Sequence, residues 1–159
     1  MKNNINNFDV YRHFTDIAKE LNNNNVTPII YGSLGLSLLI SYPSKINDMD
    51  FLISSEEEFS ICSSISEKQG FVFDPEHDRE FEGNGTFVSF LNQKDIEDLI
   101  GHKLKLKLSQ LDGAKFYNLS LEDYLNIYET GLRNKWRRRK KIKSDNKLIE
   151  LIREEFAKS

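Results

Sequence analysis

Apolar positions along the chain follow two spacings, and the change from one to the other falls near Phe71. Val10, Phe14, Ile17, Ala18 and Leu21 recur at helical intervals and predict a first amphipathic helix. Asn22 to Asn25 stop it. Val26 to Tyr31 read as a core strand, with Pro28 near its start where a missing N–H is tolerated. Leu34 to Ile40 predict a helix closed by Tyr42-Pro43, since the residue before a proline leaves the helical region. Met49 to Ile53 form a second strand. Glu56 to Lys68 form a helix with Phe59, Cys62 and Ile65 inward, ended by Gly70.

Beyond that point the apolar runs shorten. Phe71–Phe73, Arg79–Glu82 and Thr86–Leu91 predict strands, and Gly83-Asn84-Gly85 is a hairpin turn. Lys94–Ile100 predicts a short helix. Leu104, Leu106 and Leu108 alternate with lysines, which reads as either an edge strand or an exposed ribbon. Ser120 and Asp123 open a helix like a capping box, with Tyr124, Ile127 and Tyr128 on one face. Asp145 begins the last helix, whose inward stripe is Leu148, Ile149, Ile152 and Phe156. Helix and strand alternate first, then strands cluster, then helices return, which indicates an α+β fold.

Composition narrows the class. A chain of 159 residues, 38% hydrophobic, predicts one compact domain over its whole length. No apolar run approaches the ~20 residues of a membrane span. The Asn-rich start lacks the order of a signal peptide, and the single cysteine, Cys62, excludes an internal disulfide. The expectation is a cytoplasmic protein. A net charge of −3 argues against a general nucleic-acid coat protein. The run Lys135–Lys143 nevertheless carries seven cations in nine positions, with Trp136 and Ile142 as anchors. It reads either as a solvated helix face or as an anion site.

The chemistry centres on Asp48 and Asp50, which flank Met49 on the second strand. Alternation sends both carboxylates to one face, roughly 7 Å apart at the backbone. Mg²⁺ takes oxygen ligands of this kind and shares them with substrate phosphates. Two such ions about 4 Å apart would clamp an in-line phosphoryl displacement. The Gly32-Ser33 turn lies fourteen residues upstream, enough for a helix and a return, so the strand ends can meet. Ser33 reads as an N-cap, with exposed N–H groups available to a phosphate. A third carboxylate on a neighbouring strand would activate an acceptor hydroxyl; Glu80 and Glu82 alternate with Phe81 on one face, and Asp74 and Asp78 are less well flanked. His13, His77 and His102 carry no zinc spacing, and Cys62 reads as packing.

At these residues the chain resembles the nucleotidyltransferase superfamily, which includes DNA polymerase beta and the small antibiotic nucleotidyltransferases. The resemblance runs from about Val26 to Leu151, with Tyr31-Gly32-Ser33 and Asp48-x-Asp50 as its motif, and extends to small bacterial members. It implies a mixed sheet flanked by helices, with helices at the C-terminal end. It also implies that Gly32 and Ser33 hold the phosphates of a nucleoside triphosphate, while Asp48 and Asp50 bind Mg²⁺. Glu80-Phe81 matches a Glu-Phe pair in similar proteins, which favours Glu80 as the third catalytic carboxylate. Lys140 and Lys141 match a basic helix start near the phosphates. The implied activity is Mg²⁺-dependent transfer of a nucleoside monophosphate to a hydroxyl of a small molecule, a tRNA end or a protein. The alternative is a nucleotide-binding or partner-binding domain on the same scaffold without turnover.

Overall fold

The alternation that buries Met49, Phe51 and Ile53 makes β2 the centre of the molecule. The computed structural model describes residues 7–133 and 139–158, and for 139 and 140 the backbone alone. Elements run α1 (Phe8–Asn23), β1 (Ile29–Tyr31), α2 (Gly32–Ser37), β2 (Asp48–Ile53), α3 (Glu56–Lys68), β3 (Val72–Phe73) and β4 (Glu80–Gly83). They continue with β5 (Thr86–Asn92), α4 (Gln93–Ile100), β6 (Leu106–Leu111), β7 (Ala114–Leu119), α5 (Leu121–Leu132) and α6 (Arg139–Ala157). The strands form one seven-stranded sheet in the order β3-β4-β5-β2-β1-β7-β6. It is mixed: β2 pairs β5 and β1 pairs β7 in parallel, and the remaining neighbours are antiparallel. This is the α+β architecture expected from the element order.

Two apolar layers cover the sheet. On one face Met49, Phe51 and Ile53 meet Phe14 and Ile17 of α1 and Cys62 and Ile65 of α3. On the other, Ile29 and Leu52 meet Leu36, Ile96, Tyr124, Ile127, Leu148 and Ile152 from α2, α4, α5 and α6. Rings of Phe14, Phe51 and Phe90 stack in series through the first layer, with centroids 5.8 and 5.6 Å apart. Spacings of this size suit offset aromatic pairs, which add to simple burial.

Several boundaries move. α2 starts two residues earlier than the predicted Leu34 and ends at Ser37, so the apolar stretch to Ile40 leaves the helix as a turn. β1 is shorter than its apolar run, because only Ile29 to Tyr31 find ladder partners. α6 starts at Arg139, six residues before Asp145, and Phe156 at its end is 42% exposed rather than inward. The Leu/Lys ribbon is edge strand β6. Its hairpin partner β7 is an addition to the predicted elements. Asp112-Gly113 is the turn that joins them, with φ of 48° and 85°, the left-handed pair a tight two-residue hairpin needs.

Candidate active site

Register across the sheet stacks the polar residues of β2, β5 and β4 into ranks. Tyr31, Asp50, Ser89 and Glu80 lie side by side, each paired with the next. The following rank outward is Asp48, Phe87, Glu82 and Val72. On the inner side the rank Ile29, Leu52 and Leu91 disappears under the helices. The carboxylates therefore stand where the helical cover stops, half in water and half in the protein.

That position sets their electrostatics. Burial pushes the Asp50 carboxyl up to about 7, with the charges of Asp48 and Glu80 adding to it and Lys141 opposing. Asp48 is raised by burial too, with Lys141 pulling it down and Glu80 pushing it up. Three carboxylates thus share one potential, with the Lys141 ammonium facing them from α6. Ser89 Oγ donates to Glu80 Oε2 at 3.1 Å and holds that side chain in the rank. Glu82 instead accepts from the Gly85 N–H in its own hairpin, at 3.1 Å. The geometry separates the two glutamates that alternation alone leaves equivalent.

Gly32 adopts φ of 71°, and a Cβ built there would overlap Asp50 Oδ2. Only glycine lets the chain turn here while the Asp50 carboxylate lies against its backbone. Ser33 does not act as a cap: no side-chain cap bond closes α2, and its Oγ accepts from the Tyr42 hydroxyl at 2.8 Å. With six residues, α2 is too short for much dipole. Its placement comes from a buried network instead. Asn118 Nδ2 donates to the Gly35 carbonyl at 2.9 Å, and Asn118 Oδ1 accepts from the Tyr124 hydroxyl at 2.6 Å and the Leu119 N–H at 2.9 Å. A Cβ at Gly35 would overlap that hydroxyl.

Beside the ranks, Asp74, His77 and Glu80 offer ligand atoms all within 4.8 Å of one another. His77 Nδ1 and Asp74 Oδ2 are 2.7 Å apart, and this bond is the main cause that raises the imidazole. Glu80 therefore belongs to two groups of oxygen donors. Asp74 is a less well flanked candidate for the third carboxylate in the sequence, His77 carries no zinc spacing there, and Ser89 and Tyr42 are absent from the motif-based reading. Asp74 and His77 have a usable signal in their i, i+3 spacing across a turn, whereas Ser89 and Tyr42 have none without the register. Of the basic run, Lys141 faces the carboxylates and Ile142 is half-buried. Trp136, Arg138 and the Lys140 side chain lie outside the described residues.

Asp48 and Asp50 offer carboxylate oxygens of the kind a hard divalent cation takes, and among the described residues the acidic group whose ligand atoms lie within mutual reach is Asp74, His77 and Glu80.

No protein-family model matches the chain. Across 148 residues it is 30% identical to the uncharacterized protein YnaI of Bacillus subtilis, covering 90% of this chain and 95% of that one. Among solved structures it is similar to an antigenic nucleotidyltransferase-like protein of Paracoccidioides brasiliensis. That match has a TM-score of 0.64 and 16% identity, over 92% of this chain and 76% of the other. A candidate nucleotidyltransferase of Thermotoga maritima matches with a TM-score of 0.56 and 18% identity, over 97% and 99%.

Proposed function

The chain belongs to the same family as YnaI and has a nucleotidyltransferase-like fold, and from that premise we propose that it is a Mg²⁺-dependent nucleotidyltransferase. The observation that carries the proposal is the rank Asp50–Ser89–Glu80 with Asp48 beside it, at the open edge of the helical cover. Asp48 and Asp50 would hold Mg²⁺, one ion or two, together with a nucleoside triphosphate. When bound, the metal supplies charge neutralisation and polarises the phosphate under attack. Gly32, whose missing Cβ gives the Asp50 carboxylate its place, would present the turn with Ser33 to the phosphates, and Lys141 would offset charge from the opposite side.

Glu80 is the residue assigned to the acceptor. Its carboxylate, steadied by Ser89, takes the hydroxyl proton as the acceptor oxygen bonds to the α-phosphorus. The bond from that phosphorus to the bridging oxygen breaks, and pyrophosphate leaves with the electron pair. The proton then passes to solvent. Atoms and charges balance with the triphosphate and the hydroxyl as the sole reactants.

The test is release of labelled pyrophosphate, and transfer of α-labelled nucleotide to pooled acceptors, in Mg²⁺ or Mn²⁺. Glu80→Gln should lower turnover by about 10²–10⁴-fold, as loss of a positioned base does, while metal-dependent nucleotide affinity changes little. Mg²⁺-dependent nucleotide binding with no transfer to any acceptor would replace the enzyme with a nucleotide-binding domain.

A further inference from the structure

The face of the sheet opposite the carboxylates carries a cavity that the transfer chemistry leaves unused. It encloses about 400 Å³ between the first turns of α1, the loop that leads into β2, and the β4–β5 turn. Neither Asp48 nor Asp50 lines it. Alternation explains the separation: Thr86, Val88 and Phe90 of β5 turn toward α1, whereas Ser89 turns to the side of Asp50 and Glu80.

Thr86 is the informative residue. It lines the cavity at 8% exposure, and its hydroxyl has no hydrogen-bond partner among the described residues. Valine would suit the same strand position without leaving a buried hydroxyl unpaired, so the oxygen calls for a partner that enters from the cavity. Cations stand around it. Arg12 and His13 come from α1 and Lys45 from the loop, and Asp9 is the one carboxylate among the described lining residues. Neither Arg12 nor Lys45 has an ion-pair partner among the described residues. His13 is steadied edge-on against Phe71, with ring centroids 5.6 Å apart. Asn7 does not cap α1, because its Oδ1 accepts from the Ile46 N–H at 2.9 Å. The positive end of a sixteen-residue helix therefore opens on the same space.

We propose that this cavity binds a small organic anion, a carboxylate or phosphate on a compact apolar body, as a ligand separate from any nucleotide. Arg12 offers a planar fork to two of its oxygens, Lys45 an ammonium at the rim, and Thr86 a hydroxyl donor at the buried end. Val10 and Ile46 supply apolar wall for the body. The volume is that of a small-molecule site and exceeds what an inorganic ion would fill. The anion shares no side chain with the carboxylate ranks, so it does not compete with a metal or a triphosphate for the same atoms.

The test is NMR titration of the full chain with phenyl phosphate and phenylacetate, against benzyl alcohol and benzylamine as neutral and cationic counterparts. Amides of residues 12–13, 45–47 and 84–86 should shift together with at least one anion and with neither counterpart, and the tighter anion names the charged group. The anion should bind at least about tenfold more tightly than the alcohol, and added salt should narrow the gap. Arg12 and Lys45 are exposed, so Arg12→Gln and Lys45→Gln should melt like wild type while each weakens the anion at least about threefold. Thr86→Val should weaken it about threefold to tenfold with the melting temperature kept or raised, and Thr86→Ser, which retains the hydroxyl, should bind like wild type. No shift of this patch by either anion, an equal response to benzyl alcohol, or unchanged affinity in the Arg12, Lys45 and Thr86→Val variants overturns the proposal. So does displacement of the anion by Mg²⁺ with a non-hydrolysable nucleoside triphosphate, which would place the probe among the carboxylates instead.

Discussion

Replacing Asp50 with Asn should make the metal-free protein more stable at pH 8, although it removes a largely buried polar group that lies against the Gly32 backbone. Folding pushes this group from the ordinary carboxylate range up to about 7. The folded protein therefore binds its proton more tightly than the unfolded chain does. Near pH 4 the folded state is protonated and the unfolded chain only about half ionised, so the site costs little. As pH climbs toward 7 the unfolded chain ionises first and stability falls, reaching its full loss above 7. A difference of about three pH units corresponds to ~4 kcal/mol at most. Asp50 keeps some contact with water, and Lys141 can move closer, so about 2 kcal/mol is the working figure. For a chain of this size that is a rise in Tm of roughly 4–8 °C.

The assay is thermal melting of wild type and Asp50→Asn in chelator at pH 4 and pH 8, repeated at pH 8 with Mg²⁺. The variant should melt higher at pH 8, converge with wild type at pH 4, and lose most of the gain that Mg²⁺ gives the wild type. An unchanged gap between the two pH values would refute the argument that ionised Asp50 is held at a cost. A variant less stable than wild type at pH 8 in chelator would do so more directly.

Four further outcomes follow from the same geometry. Gly32→Ala should cost about 1–2 kcal/mol in urea unfolding for its left-handed backbone alone, and should abolish Mg²⁺-dependent nucleotide binding by calorimetry as the new Cβ displaces the Asp50 carboxylate. Tyr124→Phe removes the donor to buried Asn118 and should lower the urea midpoint by the equivalent of about 1–2 kcal/mol with the slope unchanged; an unchanged midpoint would take the network out of the fold's support. Lys141→Gln should raise both Asp48 and Asp50 further, read by carboxylate NMR titration, since the lysine is the charge that holds them down. Burial, aided by Glu58, pushes the Cys62 thiol up to about 12, so a thiol reagent at pH 8 should label it only after denaturant is added.

Much of the fold follows from local pattern. Helical spacing in α1 and α3, and alternation in β2, are properties of neighbouring residues, and their burial follows from the same positions. Asp48 and Asp50 were legible for that reason: a strand with Met49, Phe51 and Ile53 inward must turn its acidic residues the other way. The placing of Glu80 relative to Asp50 was half legible. Alternation puts Glu80 and Glu82 on one face, but only the pairing of β4 with β5 sets Glu80 in the rank of Asp50 and leaves Glu82 one rank out.

What the tertiary structure decided lies in contacts between residues distant along the chain. Ser33 looks like a cap by position, yet Tyr42 takes up its hydroxyl, because the loop after α2 folds back across the turn. Gly35 looks like an ordinary helix residue, yet its space belongs to Tyr124 from α5, and Asn118 from β7 ties the same helix down. The basic run is a charge pattern in sequence; only the packing of α6 turns Lys141 toward Asp48 and Asp50. Periodicity reports which way a side chain points from its own element. Which partner it meets depends on register and packing, and those are set by the chain as a whole.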